Sequence, residues 1–317
     1  MIKKITFVGN FGVDFSSESH YRKTFEKLGI QVIPLQENNT TADIILKSAL
    51  ASDMLFWVHT HAWKIDGMKE VLRKLKVAKI PTVGYHLDLW LGINREKDLD
   101  TDEYWDIEYF FSVDPQMVDL LNSRDDMPKA YFLRAGVFED ECYMGERREH
   151  LANDVIFVGS RGYHPEWPYR AKLVDWLQDT YGTKFSHYGG DGLQVIRGKE
   201  LNDLYASAKV VVGDTLCKDF KYPQYLSDRI FETTGRGGFI IHPFIEGVEE
   251  CFDLTKEIVT YKFDDFKQLK SLIDFYVNNN AARLSIQVAG HERTKRDHTY
   301  SNRLKYLIDK VQKNTNK

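Results

Sequence analysis

The sequence predicts an α/β protein built from two Rossmann-like domains, and three observations carry this prediction. The chain opens with a compact apolar strand at 5–8, a glycine loop at 9–12 and a helix at 19–28, which is the usual first unit of such a domain. The same order of apolar strand and glycine turn begins again at residue 154. The length of 317 residues suits two domains of ordinary size better than one.

Short apolar runs alternate with amphipathic segments through the first half, as expected when parallel strands alternate with helices. Further strands are predicted at 31–35, 53–58, 80–85 and 109–113, with helices at 41–52 and 64–79 and a helix opened by Asp114 and Pro115. Thr40 or Thr41 is expected to cap the second helix. The basic residues of the 64–79 segment are expected to form a solvated face.

The second half repeats this alternation. Strands are predicted at 154–158, 185–188, 209–212, 239–241 and 258–261, and helices at 169–179, 201–208 and 269–278. The polar, charged stretch 139–153 is expected to link the two domains. The predicted domains are therefore 1–138 and 154–296, followed by a closing segment at 297–317.

Composition limits the function classes. Lys and Arg number 43 against 47 Asp and Glu, a net charge of -4, whereas proteins that live on duplex DNA usually carry a basic excess. The three cysteines, Cys142, Cys217 and Cys251, have no metal-ligand spacing. No apolar run approaches the roughly 18 residues of a membrane span. We expect a cytoplasmic protein.

The stretch 227–243 carries the strongest chemical signal. Arg229 and Glu232 lie in a short helix that a glycine cluster ends, and a buried strand follows. A helix start favours an anion, so a ribose diphosphate would suit this pair, with Glu232 on the ribose hydroxyls and Arg229 on the phosphate. Gly159, Ser160 and Arg161, directly after the 154–158 strand, could meet the same diphosphate.

Polar side chains also follow two predicted strands of the first half. His59 and His61 follow the 53–58 strand, and His86 and Asp88 follow the 80–85 strand. A histidine and a carboxylate at such strand ends could deprotonate an acceptor hydroxyl, whereas Asp88 as a capping group is the structural alternative. The His-x-His pair lacks further metal ligands at sensible spacing. The spacing of Asp100 and Asp102 also occurs in metal sites, but their charged loop predicts surface residues.

The pattern Arg229-x-Phe231-Glu232-x-x-x-Arg236-Gly237-Gly238-Phe239 resembles the donor-binding helix of the GT-B glycosyltransferases, most closely the CgeB-like group. The 159–161 turn and the ending His298-Thr-Tyr300-x-x-Arg303 are similar to those of the same group. The resemblance implies two Rossmann-like domains facing across a cleft, with a final helix that returns to the first domain. It also implies that Tyr188 and Gly189 lie under the nucleotide, although Tyr188 as a core residue is equally compatible with the sequence.

The sequence departs from the family pattern at one position. Relatives commonly carry two glutamates separated by seven residues, and Gln224 stands at the first of these positions while Glu232 supplies the second. The departure puts the contacts to the sugar, or to the phosphate, in doubt, and with them the question of retention or inversion. Ribose binding by Glu232 is unaffected.

The resemblance implies a metal-independent glycosyltransferase that takes a nucleotide-sugar, expected to be a UDP-sugar. Donor-binding candidates are Gly159, Ser160, Arg161, Tyr188, Gly189, Arg229 and Glu232; catalytic candidates are His61, His86 and Asp88. The acidic balance favours a glycan, lipid-linked or small-molecule acceptor over DNA. Alternatives are a sugar-nucleotide epimerase or hydrolase, a transferase acting on modified DNA bases, and a non-catalytic two-domain ligand-binding protein.

Overall fold

The computed structural model describes residues 1–61, 63–162, 164–190, 193–216 and 223–315. The chain forms two compact units. Unit 1 comprises Met1–Arg134 and Tyr300–Lys317, and unit 2 comprises Ala135–Thr299. The sequence placed the first boundary at 138 and the closing segment from 297.

Unit 1 contains one sheet of six parallel strands in the order β2-β1-β3-β4-β5-β6. Its strands are β1 (Lys4–Gly9), β2 (Gln31–Gln36), β3 (Met54–Trp57), β4 (Thr82–His86), β5 (Tyr109–Ser112) and β6 (Lys129–Phe132). Its helices are α1 (Ser17–Lys27), α2 (Ala42–Ala49), α3 (Met68–Val77), α4 (Pro115–Asn122) and α11 (Tyr300–Thr315). Short 3-10 turns at Glu37–Asn39, Glu96–Asp100 and Glu103–Asp106 complete the unit.

Unit 2 contains a second parallel sheet, ordered β11-β10-β9-β7-β8. Its strands are β7 (Val155–Val158), β8 (Phe185–Tyr188), β9 (Val210–Val212), β10 (Ile240–Pro243) and β11 (Val259–Tyr261). Its helices are α5 (Tyr169–Tyr181), α6 (Gly198–Ser207), α7 (Asp228–Gly235), α8 (Val248–Cys251), α9 (Phe266–Asn278) and α10 (Asn280–Asp297). The two Rossmann-like sheets confirm the predicted fold class.

Burial explains why the strands read as apolar runs. The central strands β3, β4, β7, β9 and β10 are buried at every residue, because helices cover both faces of a parallel sheet. Strand β2 is only partly buried and contains Pro34, which an edge strand tolerates because proline cannot donate a ladder hydrogen bond.

Local capping signals mostly appear where the sequence placed them. Thr41 accepts a hydrogen bond from the backbone N–H of Ile44 at the start of α2, and Asp114 caps α4 with Pro115 in its first turn. The helix predicted from residue 64 begins at Met68 instead. Gly67 precedes it with a φ of 88°, a left-handed conformation that glycine adopts readily. A right-handed helix cannot pass through this conformation, so α3 begins after Gly67.

The predicted linker 139–153 packs against unit 2 and belongs to it. The Arg236 guanidinium donates to the Glu141 carboxylate and to Asn202 Oδ1 (2.6 Å), and the N–H of Glu146 donates to Asp203 Oδ1 at 2.8 Å. A Cβ on Gly145 would lie 2.2 Å from the backbone of Asn202. The charges that made this stretch look like a linker therefore hold it against α6 and α7.

Candidate functional site

Two glycine turns at the carboxyl edge of the unit 2 sheet pack directly against each other. The Gly159 N–H donates to the carbonyl of Tyr188 (2.7 Å), and the Gly159 carbonyl lies 2.6 Å from His187 Nε2. Gly190 has a φ of 81°, and a Cβ there would come within 2.7 Å of Ser160 Cβ. The turns after β7 and β8 thus form one surface, which only small residues allow.

Arg229, in the first turn of α7, lies on this surface. Its Nη1 donates to the Asp214 carbonyl at 3.3 Å, and its Cζ lies 5.3 Å from the ring centroid of Phe157. A Cβ on Gly159 would lie 2.5 Å from Arg229 Nη2. Burial, together with the charge of Arg170, lowers the pKa of Arg229, but a guanidinium stays protonated at neutral pH. The arrangement presents a positive charge at the β7 turn.

Glu232 follows Arg229 by three residues, so the two side chains share one face of α7. The Glu232 side chain is half-buried. Within the described parts of the chain its carboxylate has neither a hydrogen bond nor an ion pair. Its charge is close enough to Tyr205 to add to the burial that raises the pKa of that phenol. A half-buried carboxylate without a protein donor is suited to accept hydrogen bonds from a ligand.

The buried ion pair of Asp214 and Arg170 lies next to Arg229. The sequence did not predict it. Asp214, fully buried at the end of β9, accepts from Arg170 Nε at 2.8 Å and from Trp167 Nε1 at 3.2 Å. Its backbone carbonyl is the acceptor for Arg229. One signal was available: Arg170 has helical spacing with Leu173 and Leu177, which places it on the buried face of α5.

Two other donor candidates have protein partners. Arg161 is exposed, and its Nε donates to Asp175 Oδ1 at 2.8 Å, so an anion would have to compete with that carboxylate. The Tyr188 hydroxyl lies 3.2 Å from Asn153 Nδ2, and the ring packs against the cluster containing Ile156 and Val158. These contacts suit the core role that the sequence left open for Tyr188. Gly189 lies in the paired glycine turns.

The three catalytic candidates of unit 1 gather around Trp90 at the carboxyl edge of its sheet. The ring centroids of His61 and His86 lie 5.9 and 5.4 Å from that of Trp90. His61 is exposed, with Nδ1 3.4 Å from Asp98 Oδ2. Asp88 is partly exposed and lies 3.6 Å from Arg95 Nη1. The structure therefore brings His61, His86 and Asp88 into one region.

His86 is set up as a hydrogen-bond donor. Burial, assisted by the charge of Arg95, lowers its pKa despite the nearby Asp88 carboxylate, so the imidazole is neutral. The His86 Nδ1 lies 3.2 Å from the backbone N–H of Asp88, which can only donate, and 3.4 Å from the Asp88 carbonyl. A neutral ring that accepts at Nδ1 carries its proton on Nε2. His86 is therefore arranged to hold an oxygen, while His61 and Asp88 are the more accessible groups for taking a proton.

His59, the other member of the His-x-His pair, is buried between two carboxylates. Its Nδ1 lies 2.6 Å from Glu37 Oε1, and its Nε2 lies 3.2 Å from Asp102 Oδ2. Glu37 also accepts from Trp57 Nε1 and from the N–H of Thr60. We name this group the Glu37–His59–Asp102 cluster. Asp102 was predicted to be a surface residue, but its contact with buried His59 makes it part of the core edge.

The cluster keeps His59 protonated inside unit 1. Burial alone would lower the pKa of His59, but the hydrogen bonds to Asp102 and Glu37 and their charges outweigh it and raise the pKa to about 9. His59 is therefore an imidazolium at neutral pH. The sequence offered no signal for this partnership, since Glu37, His59 and Asp102 are far apart in the chain and meet only through the sheet order.

Asp114, at the end of β5, provides a test of pH dependence. It is buried, and Oδ2 has no hydrogen-bond partner among the described residues. Burial raises its pKa to about 6, although the N–H groups of Gln116 and Met117 act to lower it. Because the pKa of Asp114 is higher in the folded than in the unfolded state, ionising this carboxyl lowers the free energy of unfolding. The loss develops as pH rises from about 4 to 6 and remains at higher pH.

We therefore expect Asp114→Asn, which keeps a capping oxygen, to stabilise the protein by roughly 1–2 kcal/mol at pH 8, because it removes a buried charge. Urea unfolding at pH 8 and at pH 4.5 measures the effect. The gain should largely disappear at the lower pH, and an equal gain at both values would contradict this account.

The chain resembles known proteins in part of its sequence and in its fold. Residues 162–309 match a family model described as "Glycosyl transferase-like". An alpha-glucosyltransferase (AGT) in complex with UDP is similar in structure, with a TM-score of 0.74 at 12% identity, covering 98% of this chain and 100% of that one. No curated protein sequence matches the chain significantly.

Two further solved structures are also similar. HepE of Anabaena, in complex with UDP and glucose, has a TM-score of 0.65 at 11% identity, covering 98% of this chain and 100% of that one. A glycosyltransferase from Rickettsia africae ESF-5 has a TM-score of 0.63 at 12% identity and covers 98% of both chains.

Among the described residues, no three or more His, Cys, Asp or Glu side chains are grouped to hold a metal, and no helix is long and apolar enough to span a membrane. The CgeB-like assignment stays a prediction. The whole chain has the fold of GT-B glycosyltransferases, and its second half is glycosyltransferase-like in sequence, which confirms the glycosyltransferase prediction made from the motif around Glu232.

Proposed function

We propose that this protein transfers a hexose from a UDP-sugar to an acceptor hydroxyl without a metal, and that it works in the cytoplasm. The observation that carries the proposal is the pairing on α7 of a half-buried carboxylate open to a ligand, Glu232, with Arg229 over the Gly159 turn. A carboxylate accepts from ribose hydroxyls, and a guanidinium pairs with phosphate oxygens.

The solved structures support the choice of donor. AGT is described with UDP, and HepE with UDP and glucose. In this chain the diphosphate would lie at the β7 turn, where Arg229 and the backbone N–H groups of Ser160 and Arg161 would neutralise its charge. As the sugar bond breaks, negative charge grows on the departing diphosphate, and preorganised donors stabilise it. Arg229 would thus do what a metal ion does elsewhere.

The acceptor would be activated in unit 1. If the sugar is transferred with inversion, His61 or Asp88 would take the acceptor proton, and His86 would hold an oxygen through its Nε2–H. If it is transferred with retention, no protein base is required, and Arg229, with Arg161 once released from Asp175, would stabilise the leaving group.

Calorimetric titration with UDP tests the donor site. We expect the wild type to bind UDP and Glu232→Gln to lose about tenfold or more in affinity, because a charge-assisted hydrogen bond contributes about 1.5–3 kcal/mol. Glu200→Gln, at an exposed position in the first turn of α6, is the matched control and should leave the dissociation constant unchanged. Equal UDP binding by Glu232→Gln and the wild type would refute the assignment of Glu232 to the ribose.

A further inference from the structure

A cavity lies within unit 1, just after β3, and none of its lining residues belongs to the donor site. It has a volume of about 190 Å³. Its floor is formed by buried residues, among them Trp57, His59 and Met68. Trp63, half-buried, forms part of its wall. One side of any ligand would therefore meet an apolar, largely aromatic surface.

The rim of this cavity is acidic. Asp66, Asp102 and Glu103 line it with a single lysine, Lys64. Glu103 Oε2 already accepts from the N–H of Lys69 at 2.9 Å. The exposed Asp66 side chain has no partner among the residues that the structure describes. Three carboxylates face the Lys64 ammonium and the His59 imidazolium, so the lining keeps a net negative charge, which repels phosphates and favours groups that donate hydrogen bonds.

Neighbouring groups of the protein stabilise the ionised form of Asp102. Its Oδ1 accepts from the N–H of Tyr104 at 3.0 Å, and its Oδ2 faces the His59 imidazolium. Burial acts to raise the pKa of Asp102, but these partners lower it below its usual range. An ionised carboxylate only accepts hydrogen bonds, so a ligand beside it has to supply hydroxyl or N–H donors.

We propose that this cavity is an acceptor subsite and takes a neutral, hydroxyl-rich sugar ring. The ring's apolar face would stack on Trp63, and its hydroxyls would donate to Asp66 and Asp102. A single sugar ring suits the small volume, and its neutrality suits the acidic rim. A DNA acceptor would bring a row of phosphates against the same carboxylates, which costs free energy.

The assignment rests on the proposed function, since an acceptor subsite has meaning only for a transferase. The cavity follows β3 at the carboxyl edge of the unit 1 sheet, the edge that also carries His61 and His86. If the acceptor is a glycan, a sugar bound in this cavity would place its neighbouring sugar units near the sheet edge that carries His61 and His86.

Saturation-transfer NMR on the full chain with saturating UDP tests the proposal. The probes are the methyl glycosides of glucose, galactose, mannose and N-acetylglucosamine. At least one should receive saturation, and Trp63→Ala and Asp66→Asn should each weaken its binding by about fivefold or more, since losing a hydrogen bond to a charged group or a stacking partner has effects of this size. Calorimetry should show an unchanged dissociation constant for UDP in both variants.

Trp176→Ala is the matched control, because Trp176 is a half-buried tryptophan of unit 2 that stacks on Phe266. It should not affect glycoside binding. Absence of saturation transfer to every glycoside, or equal transfer with Trp63→Ala, would overturn the proposal. So would tight binding of a duplex with a hydroxymethylated base that Trp63→Ala abolishes. Failure of UDP binding would instead count against the proposed function, because the donor residues lie in unit 2.

Discussion

Replacing His59 by leucine is expected to destabilise unit 1 by about 3–5 kcal/mol, because it leaves Glu37 and Asp102 without their shared cation in a buried setting. In the wild type, the contribution of the Glu37–His59–Asp102 cluster should appear as a pH dependence of the free energy of unfolding. The raised pKa of His59 means that its stabilisation is complete below about 6.5, the unfolded value, and is lost as pH rises through about 9. Urea unfolding between pH 6 and 10 measures both effects.

Two variants separate charge from packing. Adding Glu37→Gln to His59→Leu should recover part of the lost stability, since it removes one of the unpaired charges. His61→Leu should change stability by less than about 0.5 kcal/mol because His61 is exposed. If His59→Leu were as stable as the wild type above and below pH 9 alike, the buried imidazolium would be contradicted.

Gly159→Ala is expected to weaken UDP binding by about a hundredfold. The residue has a φ of 140°, which side chains rarely adopt, and its Cβ would lie 2.5 Å from Arg229 Nη2. The guanidinium would have to leave the β7 turn, which weakens binding, and backbone strain of about 1–3 kcal/mol would separately lower the stability of the fold. Calorimetry with UDP, alongside thermal melting, separates the loss of affinity from the loss of stability.

Gly162→Ala is the matched control, because no atom of the described residues lies within 4 Å of a Cβ built there. It should bind UDP normally. Combining Gly159→Ala with Arg229→Ala should cost little more affinity than Arg229→Ala alone, since both act through the same contact. If the two losses were fully additive, displacement of Arg229 would not be the cause.

The sequence predicted the alternation of strands and helices well because both sheets are parallel and buried, so that each strand is a distinct apolar run. It also identified Arg229 and Glu232, whose spacing of three residues is local information. It could not foresee the Glu37–His59–Asp102 cluster or the pairing of Asp214 with Arg170. These partners are brought together by the order of strands in the sheets, and nothing in a local window of sequence reports that order.

The stretch 139–153 illustrates a different limit. Its charges suggested solvent, yet Glu141 meets buried Arg236, and Gly145 packs against the backbone of α6. The number of charged residues alone does not distinguish a solvated linker from a packed segment whose charged side chains form ion pairs. Likewise, Arg161 looked free to bind an anion, and only the structure shows Asp175 beside it.

The ends of unit 2 lie side by side: Val137 and Thr299 form a parallel bridge, and the carbonyl of His298 approaches Gly136. Unit 2 is therefore an insertion between the strands of unit 1 and α11, which packs on α1 through Tyr21 and Tyr300. During synthesis, unit 2 emerges whole while unit 1 still lacks its last helix. Although N-terminal domains usually fold first, here the second unit can be finished before the first, which has to wait until helix α11 has left the ribosome.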